Sequence, residues 1–472
     1  MQPSMFNVRA PIDGSADVFL MNTFTDAQII VSPDVVDLLD RMADLQRPRT
    51  SDEQSALQLL TEHGFVVSSR ETERQALEEF FREVREGTDT VKVTVLTTLQ
   101  CNFACGYCIQ GDHGDYNKHA AKMSLDTAVR IAEWTERRLD AARPSRLILT
   151  FFGGEPLLNL PVIYLLAERL HAFCSERGIA LSISIITNGL LLTREIVERL
   201  NPLGLTGIKI TLDGDRETHN RMRPLRGGQG TFDRIVANIR QVASLTKIAI
   251  GGNFDADSVD SYPALLDFLS EQDFAEKLSR VSFKPVIRET QISGKGIIPL
   301  TAIGAEGKPD KPLKGACMTS AGTGVNSTCD SCHVVDEQMA LLREETKKHG
   351  FSTVDGVHMG PCEIHKSHAH TIGPDGSLYA CPGFAGEARQ SIGHIDGREE
   401  AARTQALRNF ERLSAWKACQ DCAFIPVCAG GCTVAAHNEL GDMHAPNCHK
   451  TSFEAGVRAL ARDAAREYAA MA

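Results

Sequence analysis

The sequence predicts an α/β fold in which six β/α units form a partial, TIM-like barrel around a parallel sheet. Between residues 91 and 288, apolar runs of strand length alternate with amphipathic helices, and this alternation is typical of parallel sheets. Polar or glycine-rich motifs follow four of the predicted strands, which is where parallel barrels place their chemistry. The chain has 472 residues, so we expect further units on either side of the barrel.

The first unit is predicted to comprise residues 1–88. Its predicted elements are strands at 18–21 and 28–31, a helix starting at Ser32-Pro33, a helix near 57–60, a strand at 65–67 and a charged helix at 71–85. Serine caps helices and proline suits the first helical position. Strands and two helices in a unit of this size resemble a winged helix.

The barrel is predicted to comprise residues 89–290. Its predicted strands are 91–96, 146–152, 179–186, 208–212, 248–254 and 281–287. Its predicted helices are 124–139, 161–177, 193–200, 231–245 and 262–269.

Two regions follow the barrel. Residues 291–360 are predicted to be a bridging insert, because the first forty are rich in Gly, Lys, Pro, Ser and Thr. The insert ends in a helix over 334–348 and carries Cys317, Cys329 and Cys332. Residues 361–472 are rich in cysteine and close with a helix, for which the run Thr451-Ser-Phe-Glu454 is a capping-box pattern.

Composition excludes several classes of protein. The net charge of -11 argues against a general nucleic-acid binder. The sequence shows no secretory signal and no run near the ~18 apolar residues of a membrane span, so we expect a cytoplasmic protein without a membrane partner. In such a chain, 14 cysteines are better explained by metal than by disulfides.

Three cysteines directly follow the first predicted barrel strand: Cys101, Cys105 and Cys108. A 4Fe–4S cluster normally takes four cysteines, so a triplet would leave one iron open to a small molecule. A structural zinc site with His113 as the fourth ligand is the alternative, since Cys3His sites exist.

The triplet, in the spacing Cys-x3-Cys-x2-Cys, is similar to the signature of the radical SAM enzymes. The resemblance implies that the open iron binds S-adenosylmethionine and that the three cysteines are catalytic. One electron from the cluster then cleaves the sulfonium bond, and the 5′-deoxyadenosyl radical abstracts hydrogen from a substrate. It also implies contacts to S-adenosylmethionine from Tyr107 (adenine), Gly153, Gly154, Glu155 and Pro156 (methionine ammonium), Asn188 (nucleoside), and Thr211 and Arg223 (ribose and carboxylate).

Seven later cysteines are similar to the SPASM domain of radical SAM maturases, which holds two auxiliary 4Fe–4S clusters. By this resemblance Cys419, Cys422, Cys428 and Cys448 hold the outer cluster, and Cys362, Cys381 and Cys432 hold the inner one. The inner cluster then lacks a fourth ligand. It could be a cysteine of the insert, His365, His368 or His370, or substrate at an open iron. Cys329 and Cys332 could instead form a zinc clip with Cys317 and His333.

The SPASM resemblance implies a ribosomally made precursor peptide as substrate. The first unit resembles the leader-recognition element of ribosomal-peptide (RiPP) maturases, which adds a leader strand to a sheet edge; a plain cap on the barrel is the alternative. Pro382 stands where sulfatase maturases carry a catalytic Asp, so we expect a thioether or carbon–carbon cross-link instead of formylglycine. The electron donor would be a flavodoxin or ferredoxin. A small-molecule substrate, or a non-enzymatic electron-transfer or metal protein, are the other hypotheses.

Overall fold

The computed structural model describes residues 1–42, 50–108, 120–255, 257–286, 330–358, 360–397 and 401–471. Three predicted ligands lie outside these ranges: His113, Cys317 and Cys329. Cys332 lies within a helix, but its side chain is not among those described.

The described residues of the N-terminal unit form five strands and three helices. They are β1 (Gln2–Pro3), β2 (Asn7–Pro11), β3 (Val18–Asn22), β4 (Gln28–Val31), α1 (Pro33–Asp40), α2 (Ser51–Glu62), β5 (Val66–Val67) and α3 (Arg70–Glu86). Strands β2, β3 and β4 form an antiparallel sheet, and β1 pairs with β5. Thr50 caps α2 in a capping box with Glu53. The unit has its own apolar core around Leu20, Leu39 and Phe65.

The barrel alternates strands and helices as predicted. Its elements are β6 (Thr90–Leu96), α4 (Leu125–Ala142), β7 (Arg146–Phe152), α5 (Leu160–Arg177), β8 (Ala180–Thr187), α6 (Arg194–Leu200), β9 (Leu205–Thr211), α7 (Arg216–Met222), α8 (Phe232–Val242), β10 (Ile248–Phe254), α9 (Tyr262–Ser270) and β11 (Leu278–Pro285). Strands β6 to β11 are parallel and lie in sequence order. The predicted α/β class is therefore confirmed.

The two faces of the barrel sheet differ in chemistry, because side chains alternate along each strand. On β6, Val91, Val93 and Val95 are buried in the main core with the helices. The intervening side chains Lys92 and Thr94 line the inner side of the sheet. Burying each large apolar side chain contributes roughly 1.5–3 kcal/mol, so the outer face stabilises the barrel and leaves the inner face for polar groups.

The C-terminal region extends the same sheet. Its elements are α10 (Asp330–Lys348), β12 (Ala369–Ile372), β13 (Ser377–Tyr379), β14 (Gly393–His394), α11 (Ala401–Glu411), α12 (Ile425–Cys428), α13 (Thr433–Ala435) and α14 (Lys450–Met471). Strand β12 pairs in parallel with β6, and β13 and β14 follow antiparallel, giving nine strands among the described residues. Helix α14 begins at Lys450, so Thr451 lies inside the helix and is not its predicted N-cap.

The N-terminal unit packs against the cysteine-rich region. Phe81 on α3 stacks on Trp416, with ring centroids 4.6 Å apart. Arg74 forms an ion pair with Asp421 at 2.9 Å, and Thr23 donates a hydrogen bond to the carbonyl of Ala423. The unit is therefore joined to the rest of the molecule by aromatic and polar contacts.

One described stretch, Pro156–Arg177, is long and apolar enough to span a membrane by length and composition alone. It contains α5, whose side chains Val162, Ile163, Leu166 and Leu170 are buried in the barrel core. Such burial is typical of a helix that packs in the core.

Candidate functional site

The cysteine triplet lies in the loop after β6, and a second segment holds this loop in place. The backbone N–H of Ala104 donates to the carbonyl of Pro224 at 2.9 Å, and that of Arg226 donates to Asn102 at 3.1 Å. The Arg226 Nε also donates to the carbonyl of Cys101 at 2.9 Å. The residues just after α7 thus fix the loop that carries the thiols.

The three thiols are close enough to influence one another. Burial, together with the charges of Glu155, Cys105 and Cys108, raises the pKa of Cys101 to about 12. Burial also raises the pKa of Cys105 to about 11, with Cys108 adding to the effect. Thiolates are the form that binds iron, so iron binding would release protons here. No three Cys, His, Asp or Glu side chains in the described ranges converge as ligands of a single metal ion do; in a cluster each thiolate binds a different iron.

Gly153 and Gly154 join the end of β7 to the cysteine loop. A Cβ on Gly154 would lie 2.1 Å from the carbonyl oxygen of Gln100, and one on Gly153 would lie 2.3 Å from that of Thr98. The N–H groups of Gly154 and Glu155 donate to these same two oxygens at 2.9 and 2.8 Å. Glycine is required here because two backbone segments touch.

Glu155 organises the end of β8 from within the core. Its carboxylate is fully buried and accepts hydrogen bonds from Leu157 N at 3.0 Å, Thr187 Oγ1 at 2.7 Å and Asn188 N at 2.8 Å. Burial raises its pKa, and these three donors oppose the rise. A carboxylate has about four acceptor sites, so one remains for a ligand. Pro156, the next residue, begins a short 3-10 helix.

Asn188 connects this strand end to the triplet. Its amide nitrogen donates to Asn102 Oδ1 at 2.7 Å and lies 3.9 Å from the sulfur of Cys101. The motifs after β6, β7 and β8 are therefore brought into one site. Thr211 is the last residue of the neighbouring strand, β9.

Tyr107 and Arg223 meet at a buried carboxylate, Asp213. Arg223 Nη1 donates to the Tyr107 hydroxyl at 2.7 Å and lies 3.6 Å from Asp213 Oδ2. The Tyr107 hydroxyl donates to Asp213, which also accepts from the backbone N–H of Asn253 at 2.7 Å. Burial opposes the charge of Arg223, but Tyr107, Cys105 and Asp213 outweigh it and raise the pKa of this guanidinium.

Sequence reasoning did not identify Asp213 and Asn253 as site residues. The available signal was position, because Asp213 follows β9 by two residues and Asn253 lies near the end of β10. The Nε of Arg223 is buried without a hydrogen-bond partner in the structure. A buried donor left in this way calls for a partner, such as an ordered water or a ligand with an acceptor group.

The later cysteines fall into the two predicted groups. At Cys381, burial raises the pKa to about 12, and the charges of Cys362 and Cys432 contribute. At Cys428, burial again raises the pKa to about 12, with contributions from Cys419, Cys448 and Cys422.

His370, one of the three histidines proposed as a fourth ligand, lines the same cavity as Cys362 and Cys381. His370 meets the ring of Trp134 on α4 edge-on at 5.2 Å. Burial, with Arg138 and His368 nearby, lowers its pKa to about 3. His365 is buried beside Arg85, which adds to the effect of burial and lowers its pKa to about 4. The charged neighbours of Cys362 and Cys381 include Glu363, Lys92 and Lys284.

A cavity of about 710 Å³ lies between the inner face of the sheet and the segments that carry Cys362 and Cys381. It reaches from Lys247 at the start of β10 to Ile186, one residue from the end of β8. Its size is within the roughly 300–1,000 Å³ of ligand sites. The cavity can therefore place a substrate between the inner thiols and the ends of the barrel strands.

Residues 95–252 match the family model described as the Radical SAM superfamily. This part of the chain is a radical SAM domain. The match covers the cysteine loop and the ends of β7, β8 and β9. Membership of this superfamily implies a 4Fe–4S cluster and S-adenosylmethionine, and the superfamily relatives are enzymes.

Relatives of known activity share the radical SAM domain in different contexts. The chain is 28% identical over 186 residues to the Fe-coproporphyrin III synthase of Methanosarcina barkeri (strain Fusaro / DSM 804), which covers 39% of this chain and 41% of that protein. The chain thus spans about two-fifths of the length of that relative. It is 25% identical over 357 residues to the serine-type anaerobic sulfatase-maturating enzyme of Klebsiella aerogenes, covering 72% of this chain and 80% of that enzyme.

A solved structure shares the fold over more of the chain. Native anSMEcpe with bound AdoMet and Cp18Cys peptide has a TM-score of 0.57 and 15% identity, covering 79% of this chain and 99% of that one. The similarity extends beyond the radical SAM domain, in keeping with a sheet that continues into β12.

The residues of the radical SAM domain fit the expected groups. Three neighbouring thiols supply cluster ligands, and the unpartnered Nε of Arg223 and the free acceptor site of Glu155 can meet polar atoms of S-adenosylmethionine. The seven later cysteines form one group of three and one group of four.

Proposed function

We propose that this chain is a radical SAM/SPASM maturase that modifies a ribosomally made precursor peptide. The observation that carries the proposal is the arrangement of its thiols. One group lies at the strand ends of a radical SAM domain, and a second lines a cavity on the inner face of the same sheet. A substrate in this cavity would lie between the strand ends, where the radical would form, and the inner thiols, which would hold the electron acceptor.

The roles of the residues follow from their contacts. Cys101, Cys105 and Cys108 would hold the first cluster, which would supply the electron for reductive cleavage of S-adenosylmethionine. Glu155 and Arg223 bind and orient the bound molecule, and the buried Asp213 keeps Arg223 in position. Tyr107 is hydrogen-bonded to both Arg223 and Asp213 and forms the wall of the S-adenosylmethionine site beside Arg223. Asn188 links this wall to the cysteine loop.

Residues 361–472 are proposed to be a SPASM domain with two auxiliary clusters. Cys419, Cys422, Cys428 and Cys448 would hold the outer cluster, and Cys362, Cys381 and Cys432 the inner one. The grouping of their charges supports this assignment. The inner cluster would accept the second electron that a thioether or carbon–carbon cross-link releases. Its fourth ligand would be a cysteine of the insert, one of the three histidines, or substrate.

A peptide substrate is supported by similarity and by the N-terminal unit. The sulfatase-maturating relative, which matches 72% of the chain, is named for its action on a protein. Strand β4 lies at an edge of the three-stranded sheet, where a leader peptide could add as a further strand. A cytoplasmic location and a flavodoxin or ferredoxin as electron donor belong to the same proposal.

The test is anaerobic reconstitution of the full chain, followed by measurement of iron and of 5′-deoxyadenosine. Three clusters predict about twelve irons per chain and nucleoside release that requires reductant. Replacing Cys101, Cys105 and Cys108 by Ala should abolish nucleoside release and leave about eight irons. Bound zinc and no nucleoside would refute the proposal.

The proposed peptide substrate is tested by a separate measurement, the mass of the peptide. Incubation with a peptide encoded beside the gene should give a mass change of about two hydrogens per cross-link. Modification of a nucleotide or another small molecule, with the peptide unchanged, would contradict the proposed maturase function. It would indicate an enzyme of small-molecule metabolism.

A further inference from the structure

The cavity on the inner face of the barrel is strongly basic. Of its lining side chains, four are basic and one is acidic: Lys92, Lys209, Lys247 and Arg280 against Glu363. The single acid is already engaged, because Glu363 pairs with Lys92 at 3.4 Å and with Lys366 at 3.3 Å. The described part of the cavity therefore carries an excess of positive charge.

Strand register places three cations next to one another. Lys209 on β9 and Arg280 on β11 both pair with Ala249 on the strand between them. Adjacent strands are about 4.8 Å apart, so the two backbones are separated by about 10 Å. Lys284 lies on the same face of β11, four residues after Arg280.

Lys209 reaches across the middle strand towards Arg280 and Lys284. Its Cε lies 2.6 Å, and its Nζ 3.4 Å, from the point that a Cβ on Gly251 would occupy. Gly251 pairs with Ser282, which is midway between Arg280 and Lys284 on β11. The absence of a side chain at Gly251 is what lets the ammonium group lie there.

The ammonium group of Lys209 faces the cavity, but atoms of the surrounding protein lie close to it. More than a third of the side chain is accessible, because it faces empty space inside the barrel. Surrounding protein nevertheless lowers its pKa, and the charges of Lys284 and Arg280 lower it further. Within the described ranges, no carboxylate pairs with Lys209, Arg280 or Lys284. Three like charges held together without a counter-ion are unfavourable, so the arrangement calls for an anionic ligand.

We propose that Lys209, Arg280 and Lys284 bind a carboxylate of the substrate peptide, from an Asp or Glu side chain near the residue that is modified. This inference rests on the proposed function and gives its substrate a chemical character. Lys284 also lies near Cys381, which would place the anchored carboxylate beside the inner thiols and leave neighbouring residues facing the strand ends. The cations thus fix which segment of the peptide enters the cavity.

The test is a binding measurement that needs no turnover. The probes are two capped tripeptides, acetyl-Ala-Glu-Ala-amide and acetyl-Ala-Gln-Ala-amide, equilibrated by dialysis against the reconstituted full chain. Charge-assisted hydrogen bonds predict that the Glu peptide binds about tenfold tighter or more, and that raised salt reduces this preference. Equal binding, or no binding of either, would overturn the proposal.

Matched variants locate the effect. Lys209→Gln combined with Arg280→Gln should remove the preference, whereas Lys209→Arg, which keeps the charge, should retain it. Lys277→Gln removes one charge from the exposed turn before β11 and should leave binding unchanged. Iron content and circular dichroism report whether each variant folds.

Two further outcomes would overturn the proposal. Retained preference in the double variant, together with a shifted potential of the auxiliary clusters, would assign the cations to the inner cluster. Displacement of the Glu peptide by pyrophosphate more effectively than by glutarate would indicate a phosphorylated substrate. Failure of the wild type to release 5′-deoxyadenosine would refute the proposed function but would not change the dialysis result.

Discussion

At the scale of single residues, His370 couples the stability of the fold to pH. Both of its ring nitrogens are buried without hydrogen-bond partners in the structure, and burial lowers its pKa to about 3. In an unfolded chain histidine titrates near 6.5. Below that pH the unfolded chain gains a proton that the folded chain does not, so stability is lost as pH falls from about 6.5 towards 3.

His370→Phe should remove this dependence while keeping the aromatic contact with Trp134. We expect the thermal midpoint of the wild type to fall more steeply between pH 7 and pH 5 than that of the variant. The difference corresponds to at most about 1.4 kcal/mol per pH unit. His444→Gln, at an exposed position, is the control and should follow the wild type. Parallel curves for the wild type and His370→Phe would contradict the assignment.

The predictability of the site differs from residue to residue. The cysteines and the Gly-Gly-Glu-Pro run belong to short motifs, so the sequence alone indicates them. Asp213 acquires its role through contact with Tyr107, 106 residues earlier in the chain. Such a contact is created by folding, and no local sequence pattern indicates it.

At the scale of secondary structure, the junction between β7 and the cysteine loop depends on two residues without side chains, Gly153 and Gly154. Two backbone hydrogen bonds cross the junction, and both oxygens involved lie where a Cβ at residue 153 or 154 would be. Any side chain there must push the loop away from the strand. The loop geometry that gathers the three thiols depends on this contact.

Gly154→Ala should therefore weaken the first cluster selectively. We expect loss of about four of the twelve irons and of 5′-deoxyadenosine release, with the auxiliary irons retained. Gly106→Ala is the matched control, because it lies between two of the cysteines and a Cβ there meets no atom within 4 Å. Equal iron content in the two variants would show that the junction is dispensable.

The elements were predictable where the local pattern was strong. The predicted strands 146–152 and 248–254 match β7 and β10 residue for residue. Strand β9 begins three residues before its predicted start, because Thr206 and Gly207 interrupt the apolar run. Helix α7 is polar and only seven residues long, so it lacks apolar periodicity. Strands β12 to β14 have two to four residues and are defined by pairing, which sequence patterns do not reveal.

At the scale of the whole molecule, the N-terminal unit shields the outer group of thiols. Phe6 and Phe81 are buried in one apolar cluster with Ile425, and Cys419 and Cys422 pack against it. Phe24 and Phe80 continue the chain of aromatic contacts. A unit proposed to bind a leader is thus also part of the wall around the proposed outer cluster.

Trp416→Ala should destabilise both helix α3 and the proposed outer cluster. The stacked pair with Phe81 contributes about 0.5–1.5 kcal/mol beyond buried area. We expect faster hydrogen exchange in α3 and loss of iron from the outer cluster, while 5′-deoxyadenosine release persists. Leu59→Ala, at a position 52% exposed, is the control. Unchanged exchange in α3 and full iron content in Trp416→Ala would mean that the two regions are independent.

The pairing of β12 with β6 has an evolutionary consequence. Four residues of each strand are in register, from Ala369 opposite Lys92 to Ile372 opposite Val95. A recombination that exchanged the cysteine-rich region for that of another protein would have to supply a strand matching this ladder. In a chain that contains both strands, substitutions on one strand are therefore expected to constrain those accepted on the other.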